Sequence, residues 1–360
     1  MKKLLFFLLL AIIFVGRVNA STSSAHSYIL MDANTGRVLL SKDKDSKRLI
    51  ASITKIMTSV LAIESGKLDD LVVVDSSIKK AYGSGIYIEE GEEITLKDLL
   101  YGLMLRSGND AASMIAAYVG GSEEEFVRMM NNKAKEIGMK NTTFYNPSGL
   151  PTPRGNYSSV YDMALLTRYA MKYDVYREIV STKKYKVTTN KKTYIWNNKN
   201  KLLKYDFITG GKTGYTEESG RTLVSSANIN NMNLIVVTIR DSDDWNTHLE
   251  LYKYARDNYD SYKVLNKDKF VLPGESYYNN DTLYINRDVY IMLKKEETKS
   301  LTSHIILDKK DNITDNEKVG VIKIYLDNNL IDEEDIFIIK NNNKKEKKSI
   351  FAKIKEWFND

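Results

Sequence analysis

A serine placed three residues before a lysine, at Ser52-Ile-Thr-Lys55, is the arrangement in this chain with the most chemical potential. On a helix, residues i and i+3 lie about 60° apart, so the Ser52 hydroxyl and the Lys55 amine share a face. Where core residues flank such a helix the lysine is desolvated and its ammonium pKa falls. A neutral amine beside a hydroxyl is then a general base for a serine nucleophile. Two more short motifs follow in order, Ser107-Gly-Asn109 and Lys212-Thr213-Gly214. Ser107 and Asn109 offer a hydroxyl and an amide for proton relay and substrate hydrogen bonding. The glycines around Lys212 and Thr213 let a second backbone come close, so an extended peptide can add to the strand edge and present a carboxylate to them.

Each motif alone also has an ordinary structural explanation. Lys55 could be a solvated surface lysine and Ser52 a helix N-cap, Ser107 and Asn109 could cap the helix at Asp110, and Lys212 with its glycines could form a hairpin turn. Ser-x-x-Lys occurs five times in the chain and Ser-x-Asn twice, whereas Lys-Thr-Gly occurs once. Context separates the repeats, because only Ser52 opens a strongly apolar helix and only Ser107 lies in a break between helices.

The elements that must position these residues are legible in outline. Two short apolar runs in residues 27–40 surround Asn34-Thr35-Gly36, a hairpin signal. Ile56, Met57, Val60, Leu61 and Ile63 have helical spacing, with Gly66 placed to stop the helix. Thr95-Leu-Lys-Asp98 opens a second helix that runs through Leu105, residues 111–119 form a third, and residues 123–137 and 159–172 continue the helical pattern. From Thr209 the pattern turns to strands. Residues 221–227 and 233–239 form an antiparallel pair, residues 245–260 a last helix, and the short strands beyond Tyr262 a small all-β domain.

Composition removes several chemistries. The 360 residues include no cysteine, which excludes disulfides, thiol nucleophiles, Cys-ligated zinc and iron–sulfur clusters. His26, His248 and His304 give no motif context for a Ser-His-Asp hydrolase and little scope for a metal site, so neither metal nor cofactor is expected. The net charge of +6 is not spread evenly. Lys2, Lys3 and Arg17 supply three of the positive charges, and seven lysines against three acids in residues 340–360 supply a further surplus of four, leaving the body near neutrality. No nucleic-acid partner is expected. The lysines at 2 and 3, the apolar run of residues 4–15 and the small-residue site Val18-Asn19-Ala20 predict a signal peptide at 1–20, with an uncleaved anchor as the alternative. The protein is therefore expected outside the cytoplasm.

The three motifs together resemble those of the penicillin-recognising serine enzymes. More closely, the chain resembles the low-molecular-mass penicillin-binding proteins that are D-alanyl-D-alanine carboxypeptidases. The stretches that carry the likeness are Ala51-Ser-Ile-Thr-Lys-Ile-Met-Thr58, Ser107-Gly-Asn-Asp-Ala-Ala112, Asn146-Pro-Ser-Gly-Leu150, Gly211-Lys-Thr-Gly-Tyr-Thr216 and Gly220-Arg-Thr-Leu-Val-Ser-Ser226. The resemblance implies an α+β fold, in which a β-lactamase/transpeptidase-like domain, an antiparallel sheet flanked by helices plus a helical lobe, spans residues 21–260. A β-rich domain at 261–340 and a basic helix at 341–360 follow. It implies Ser52 as acylated nucleophile, Lys55 as its base, Ser107 and Asn109 as catalytic partners, and Lys212, Thr213, Gly214 and Tyr215 as substrate-binding residues. The backbone N–H groups of Ser52 and Tyr215 would form the oxyanion hole. Substrates would be peptidoglycan stem peptides ending in D-Ala-D-Ala, with β-lactam antibiotics as acylating analogues. Some members of the family bind the carboxylate with an arginine after the strand that follows Lys-Thr-Gly. Here that loop reads Asp241-Ser-Asp-Asp-Trp245, with Arg240 just before it as a substitute, and Ser219 stands where members often have alanine.

At the C-terminus, Ile350, Phe351, Ile354, Trp357 and Phe358 fall on one helical face, with lysines at 344, 345, 347, 348, 353 and 355 on the other face and the approach. Residues 344–358 thus have the pattern of an interfacial helix on an anionic membrane, at the outer face of the cytoplasmic membrane for an exported protein, and are too short to span it. A class A-like β-lactamase is one rival, but no glutamate-bearing loop to activate a deacylating water is evident between Ser107 and Lys212. A non-catalytic peptidoglycan- or penicillin-binding protein is another, against which the intact Ser52 and Lys55 argue.

Overall fold

Residues 27–32 are buried at every position and residues 232–239 at nearly every one, the pattern of strands covered on both faces. They form the centre of the main sheet. The computed structural model describes residues 23–151, 154–272, 277–278 and 281–341. The expected signal peptide at 1–20 and the basic amphipathic segment at 344–358 lie outside those residues.

Five strands build the sheet: β1 (Ser27–Asp32), β2 (Val38–Lys42), β3 (Ile208–Thr216), β4 (Gly220–Ile229) and β5 (Met232–Ile239). Their order is β2-β1-β5-β4-β3, and every neighbouring pair is antiparallel. β3 is an edge strand. Alternation sends Ile29, Met31, Val224, Ile235 and Val237 to one face and Tyr28, Leu30, Leu223, Leu234 and Val236 to the other. The first face is covered by a helical layer: α1 (Lys55–Glu64), α2 (Leu96–Tyr101), α3 (Asn109–Gly120), α4 (Glu123–Ile137), α5 (Val160–Ala170) and α6 (Asp174–Ser181). The second face is covered by α7 (Asp244–Asn258) through Leu251, Tyr252 and Ala255. This is the α+β arrangement expected, with a helical lobe beside an antiparallel sheet.

Local signals explain most boundaries. Thr95 caps α2 by accepting from the Asp98 amide at 3.0 Å. After α2 the chain widens into a π-helical turn, Gly102–Arg106, and leaves it at Ser107 with φ 62°. The β4–β5 turn is Asn230-Asn231, both at positive φ, as a tight hairpin of this hand requires. Helix α6 and the hairpin of Lys184–Thr188 with Thr193–Asn197 are additions to the elements expected from the sequence; both are short, and each buries one face, Tyr176, Ile179 and Val180 in α6 and Tyr194 and Trp196 in the hairpin.

The C-terminal part carries a four-stranded antiparallel sheet in the order Thr282–Ile285, Asn329–Ile339, Lys318–Leu326, Leu301–Leu307, with Asp260–Leu265 pairing separately to Val289–Leu293. The strands Thr282–Ile285 and Val289–Leu293 are separated at Arg287 and Asp288, which form ion pairs with Asp332 and Lys263 respectively. Arg37, at the β1–β2 hairpin, donates to the Met292 carbonyl at 2.9 Å and pairs with Glu297, joining the two parts.

Candidate active site

Ser52 lies in a 3₁₀ turn, Ala51–Thr54, that runs directly into α1. In a 3₁₀ turn residues i and i+3 eclipse, which brings the two side chains closer than α geometry would. Lys55 Nζ donates to Ser52 Oγ at 3.0 Å. Neither structural alternative describes the motif: Ser52 caps no helix, and Lys55 is wholly buried. Ala51, just before the nucleophile candidate, takes φ 48°, a left-handed conformation that costs a non-glycine residue about 1–2 kcal/mol. Such backbone gathers at functional sites.

The Lys55 ammonium has two further acceptors, Asn109 Oδ1 at 2.7 Å and the Ser148 carbonyl at 2.5 Å. Burial, then the positive charge of Lys199, pull its pKa down to about 7 against the opposing pull of Asp110. An amine poised near neutrality can take a proton from Ser52 and give it back.

Ser107 and Asn109 sit at the start of α3, on the bend where the π-helical turn ends. Asn109 spans the cleft, donating Nδ2 to the Tyr82 carbonyl while its oxygen faces Lys55. Ser107 Oγ accepts from Lys212 Nζ at 3.0 Å, and the same ammonium donates to the Thr213 carbonyl at 2.6 Å. Lys212 is also fully buried; burial, Lys55 and Lys199 together hold its pKa well below the usual lysine range. The Lys-Thr-Gly stretch is strand, not turn: Lys212, Thr213, Gly214 and Tyr215 face Val224, Leu223, Thr222 and Arg221 across β3–β4.

Gly214 marks where β3 meets the nucleophile turn. A Cβ there would stand 2.4 Å from Thr222 Oγ1 and 2.9 Å from the Ser52 amide nitrogen. Only glycine permits this approach. Thr222 Oγ1 in turn donates to the Ile50 carbonyl at 3.1 Å, tying β4 to the residue before the turn.

Several contributors have no signature in the residue types. The Ser148 carbonyl is aimed at Lys55 by Asn146, whose Oδ1 accepts from Ser148 N at 3.1 Å and Gly149 N at 2.7 Å. Asn156 Nδ2 links Thr54 Oγ1 at 3.0 Å to the Asn146 carbonyl at 2.8 Å. Gly149, at φ 87°, packs so tightly on Ala51 that a Cβ would reach 1.9 Å from the Ala51 oxygen. The Asn-Pro-Ser-Gly string announces an ordered turn, but a backbone acceptor cannot be read from side chains. Lys199, which donates to Ser84 Oγ at 3.0 Å, is likewise unmarked in the sequence.

The described residues contain no cluster of three or more His, Asp or Glu able to hold a metal ion. One histidine does meet a serine: His248 Nδ1 lies 2.6 Å from Ser225 Oγ. Both are fully buried between β4 and α7, Ser225 also bonds Tyr252, and burial drives His248 down to about 3. The other ring nitrogen of His248 faces Thr238 Oγ1 at 3.2 Å, and no carboxylate among the described residues partners it, so this pair is a polar core contact, not a triad. Glu178, a glutamate between Ser107 and Lys212, accepts from the Tyr101 hydroxyl at 2.6 Å and lies 3.4 Å from Lys97.

The three motifs thus converge on one cleft, and comparison with known proteins gives the family of the chain. The family described as D-alanyl-D-alanine carboxypeptidase matches residues 15–243, and the penicillin-binding protein 5 C-terminal domain matches residues 259–351. This chain belongs to the D-alanyl-D-alanine carboxypeptidase family. It is a serine hydrolase of that class, with the fold of the low-molecular-mass penicillin-binding proteins. Among its relatives, the carboxypeptidase DacF of Bacillus subtilis is 38% identical over 71% of this chain and 68% of its own length. DacD of Escherichia coli is 30% identical over 84% of this chain and 82% of its own length. The crystal structure of penicillin-binding protein 5 from Haemophilus influenzae superposes with a TM-score of 0.72 at 28% identity, covering 90% of this chain and 98% of that one.

Proposed function

We propose that the enzyme removes the terminal D-alanine of peptidoglycan stem peptides through an acyl-enzyme on Ser52. The observation that carries this reading is the buried Lys55 amine 3.0 Å from Ser52 Oγ, with its pKa brought to about 7. Ser52 Oγ attacks the penultimate D-Ala carbonyl carbon while its proton passes to Lys55 Nζ. Collapse of the tetrahedral intermediate breaks the peptide bond, and the leaving amine takes a proton returned through the Ser107 hydroxyl. The developing oxyanion is held by the backbone N–H groups of Ser52 and Tyr215, each such donor being worth on the order of 10²–10³ in rate. Water, deprotonated by Lys55, then hydrolyses the ester. Lys212 and Thr213 hold the substrate carboxylate, and Asn109 holds the substrate backbone and Lys55 together. A β-lactam follows the first half of the same path, its ring amide opening onto Ser52.

Export and membrane attachment complete the reading. The apolar run and small-residue site before Ser21 support secretion, and the lysine-flanked apolar face of residues 344–358 supports peripheral binding to an anionic bilayer surface. No helix among the described residues is long and apolar enough to cross a membrane. Release of free D-alanine from a peptide ending in D-Ala-D-Ala tests the activity, with penicillin turnover as the contrasting outcome. Co-sedimentation with phosphatidylglycerol vesicles, lost on truncation after residue 341 and absent with phosphatidylcholine, tests the attachment.

A further inference from the structure

The two ends of an asparagine amide have nearly the same shape, so the partners of Asn109 decide which end faces Lys55. Its oxygen accepts from Lys55 Nζ at 2.7 Å because its nitrogen is engaged elsewhere: Nδ2 donates to the Tyr82 carbonyl at 2.5 Å. The Asn109 backbone N–H donates to the Ser84 carbonyl at 2.8 Å, and Ser84 Oγ accepts from Lys199 Nζ at 3.0 Å. One loop, residues 82–87, therefore orients Asn109 and also touches the lysine whose charge lowers the Lys55 pKa. Without the Tyr82 carbonyl the amide would be free to turn over and set its NH2 group against the Lys55 amine, donor against donor.

The loop does not keep this shape unaided. It is neither helix nor strand, and Gly83 and Tyr87 take positive φ, 79° and 62°. For the tyrosine this costs about 1–2 kcal/mol, and burial does not offset it, since Tyr87 is 72% exposed. The grip comes from Asp110. Its carboxylate accepts from Ile86 N at 3.0 Å and Tyr87 N at 2.6 Å on the loop, and from Ala111 N at 2.9 Å on α3. Asp110 is buried, and two glycines leave it room: a Cβ at Gly85 would stand 3.2 Å from Oδ2, and one at Gly108 2.9 Å from Oδ1. Hydrogen bonds from backbone N–H groups to a carboxylate are about twice as strong as neutral ones, enough to hold a strained residue in place.

We infer that Asp110 is a positioning residue: by clamping Ile86 and Tyr87 it keeps the Tyr82 carbonyl on Asn109, and so aims the Asn109 oxygen at Lys55. This rests on the Ser52–Lys55 mechanism proposed above. Asp110 acts through Asn109 and takes no part in proton transfer.

The test measures the pH profile of second-order acylation by benzylpenicillin for the full enzyme, Asp110→Asn, Asn109→Ala and the double variant, each rate expressed per site labelled at completion. Asp110→Asn keeps the side-chain shape but turns an NH2 group toward the loop N–H groups, which opens the clamp. It should lower the plateau rate above pH 7 by about 10- to 100-fold, the loss expected of a misplaced catalytic group. In the Asn109→Ala background the same change should cost less than about twofold, because no amide is left to orient. Removal of the negative charge alone would slide the acidic limb to lower pH and leave the plateau intact. Gly85→Ala presses on Oδ2 from the loop side, and it should give a smaller loss with the same dependence on Asn109 even where Asp110→Asn fails to fold. An unchanged plateau in Asp110→Asn, or equal losses with and without Asn109 in either variant, would overturn the inference. Absence of labelling at Ser52 in the wild type would instead contradict the site assignment.

Discussion

Lys55 and Lys212, both fully buried, grip opposite ends of one bend: Lys55 Nζ lies 2.7 Å from Asn109 Oδ1, and Lys212 Nζ lies 3.0 Å from Ser107 Oγ. Burial and then Lys199 lower the Lys55 pKa, while burial, Lys55 and Lys199 lower that of Lys212. Burying two amines in one cleft disfavours their charged forms, which suits a site where an amine must accept a proton.

The acylation rate should therefore rise with pH. Folding lowers the Lys55 pKa to about 7, so its base form is scarce below that pH and dominant above it. Second-order acylation by penicillin should climb about tenfold per pH unit below 7 and level off above. A rate that is flat between pH 5 and 8 would show that Lys55 is not the base.

Asn109→Asp would put a carboxylate where Lys55 now meets a neutral oxygen at 2.7 Å. An opposite charge at that distance raises an amine pKa by about 1–3 units. The acidic limb should move up by that amount, and kcat/KM at pH 7 should fall by about tenfold or more. Retention of the wild-type pH profile would separate Asn109 from Lys55.

Two glycines should fail in different ways. Gly149→Ala forces a Cβ against the Ala51 carbonyl at a backbone φ of 87°, so it should destabilise the fold by more than about 2 kcal/mol in urea denaturation. Gly214→Ala presses on Thr222 Oγ1 and the Ser52 amide, so its penicillin acylation rate should drop while most of the folded population persists. Equal activity in Gly214→Ala and wild type would contradict the close approach of β3 to the nucleophile turn.

Ser225→Ala should leave D-alanine release per folded molecule unchanged. It removes the hydroxyl that satisfies His248 Nδ1 and the Tyr252 hydroxyl in the core, so stability should fall by about 1–3 kcal/mol. Loss of activity without loss of stability would revive a Ser-His mechanism.

Much of this organisation is legible in the residue types alone. The apolar helical spacing from Ile53 to Ile63 and the apolar, β-rich runs around Val224 and Val237 are legible from residue type, because these elements are buried almost throughout, and the Thr95 cap is legible from its spacing to Asp98. The three motifs were legible as residue types at set spacings. Helix α6 and the 184–197 hairpin were not among the elements read from the sequence, although each buries one face regularly, because they are short and set between long polar stretches. The Ser148 carbonyl and the approach of Gly214 to Ser52 were hidden for a related reason. They are relations between backbones or across strands, and register is absent from a one-dimensional pattern.

The central claim is that Ser52 is the acylated nucleophile. Peptide-mapping mass spectrometry after incubation with benzylpenicillin tests it most directly. The account predicts a single adduct of one penicilloyl group on the peptide containing Ser52, absent in Ser52→Ala together with D-alanine release. An adduct on another residue, or labelling and D-alanine release that survive Ser52→Ala, would contradict it.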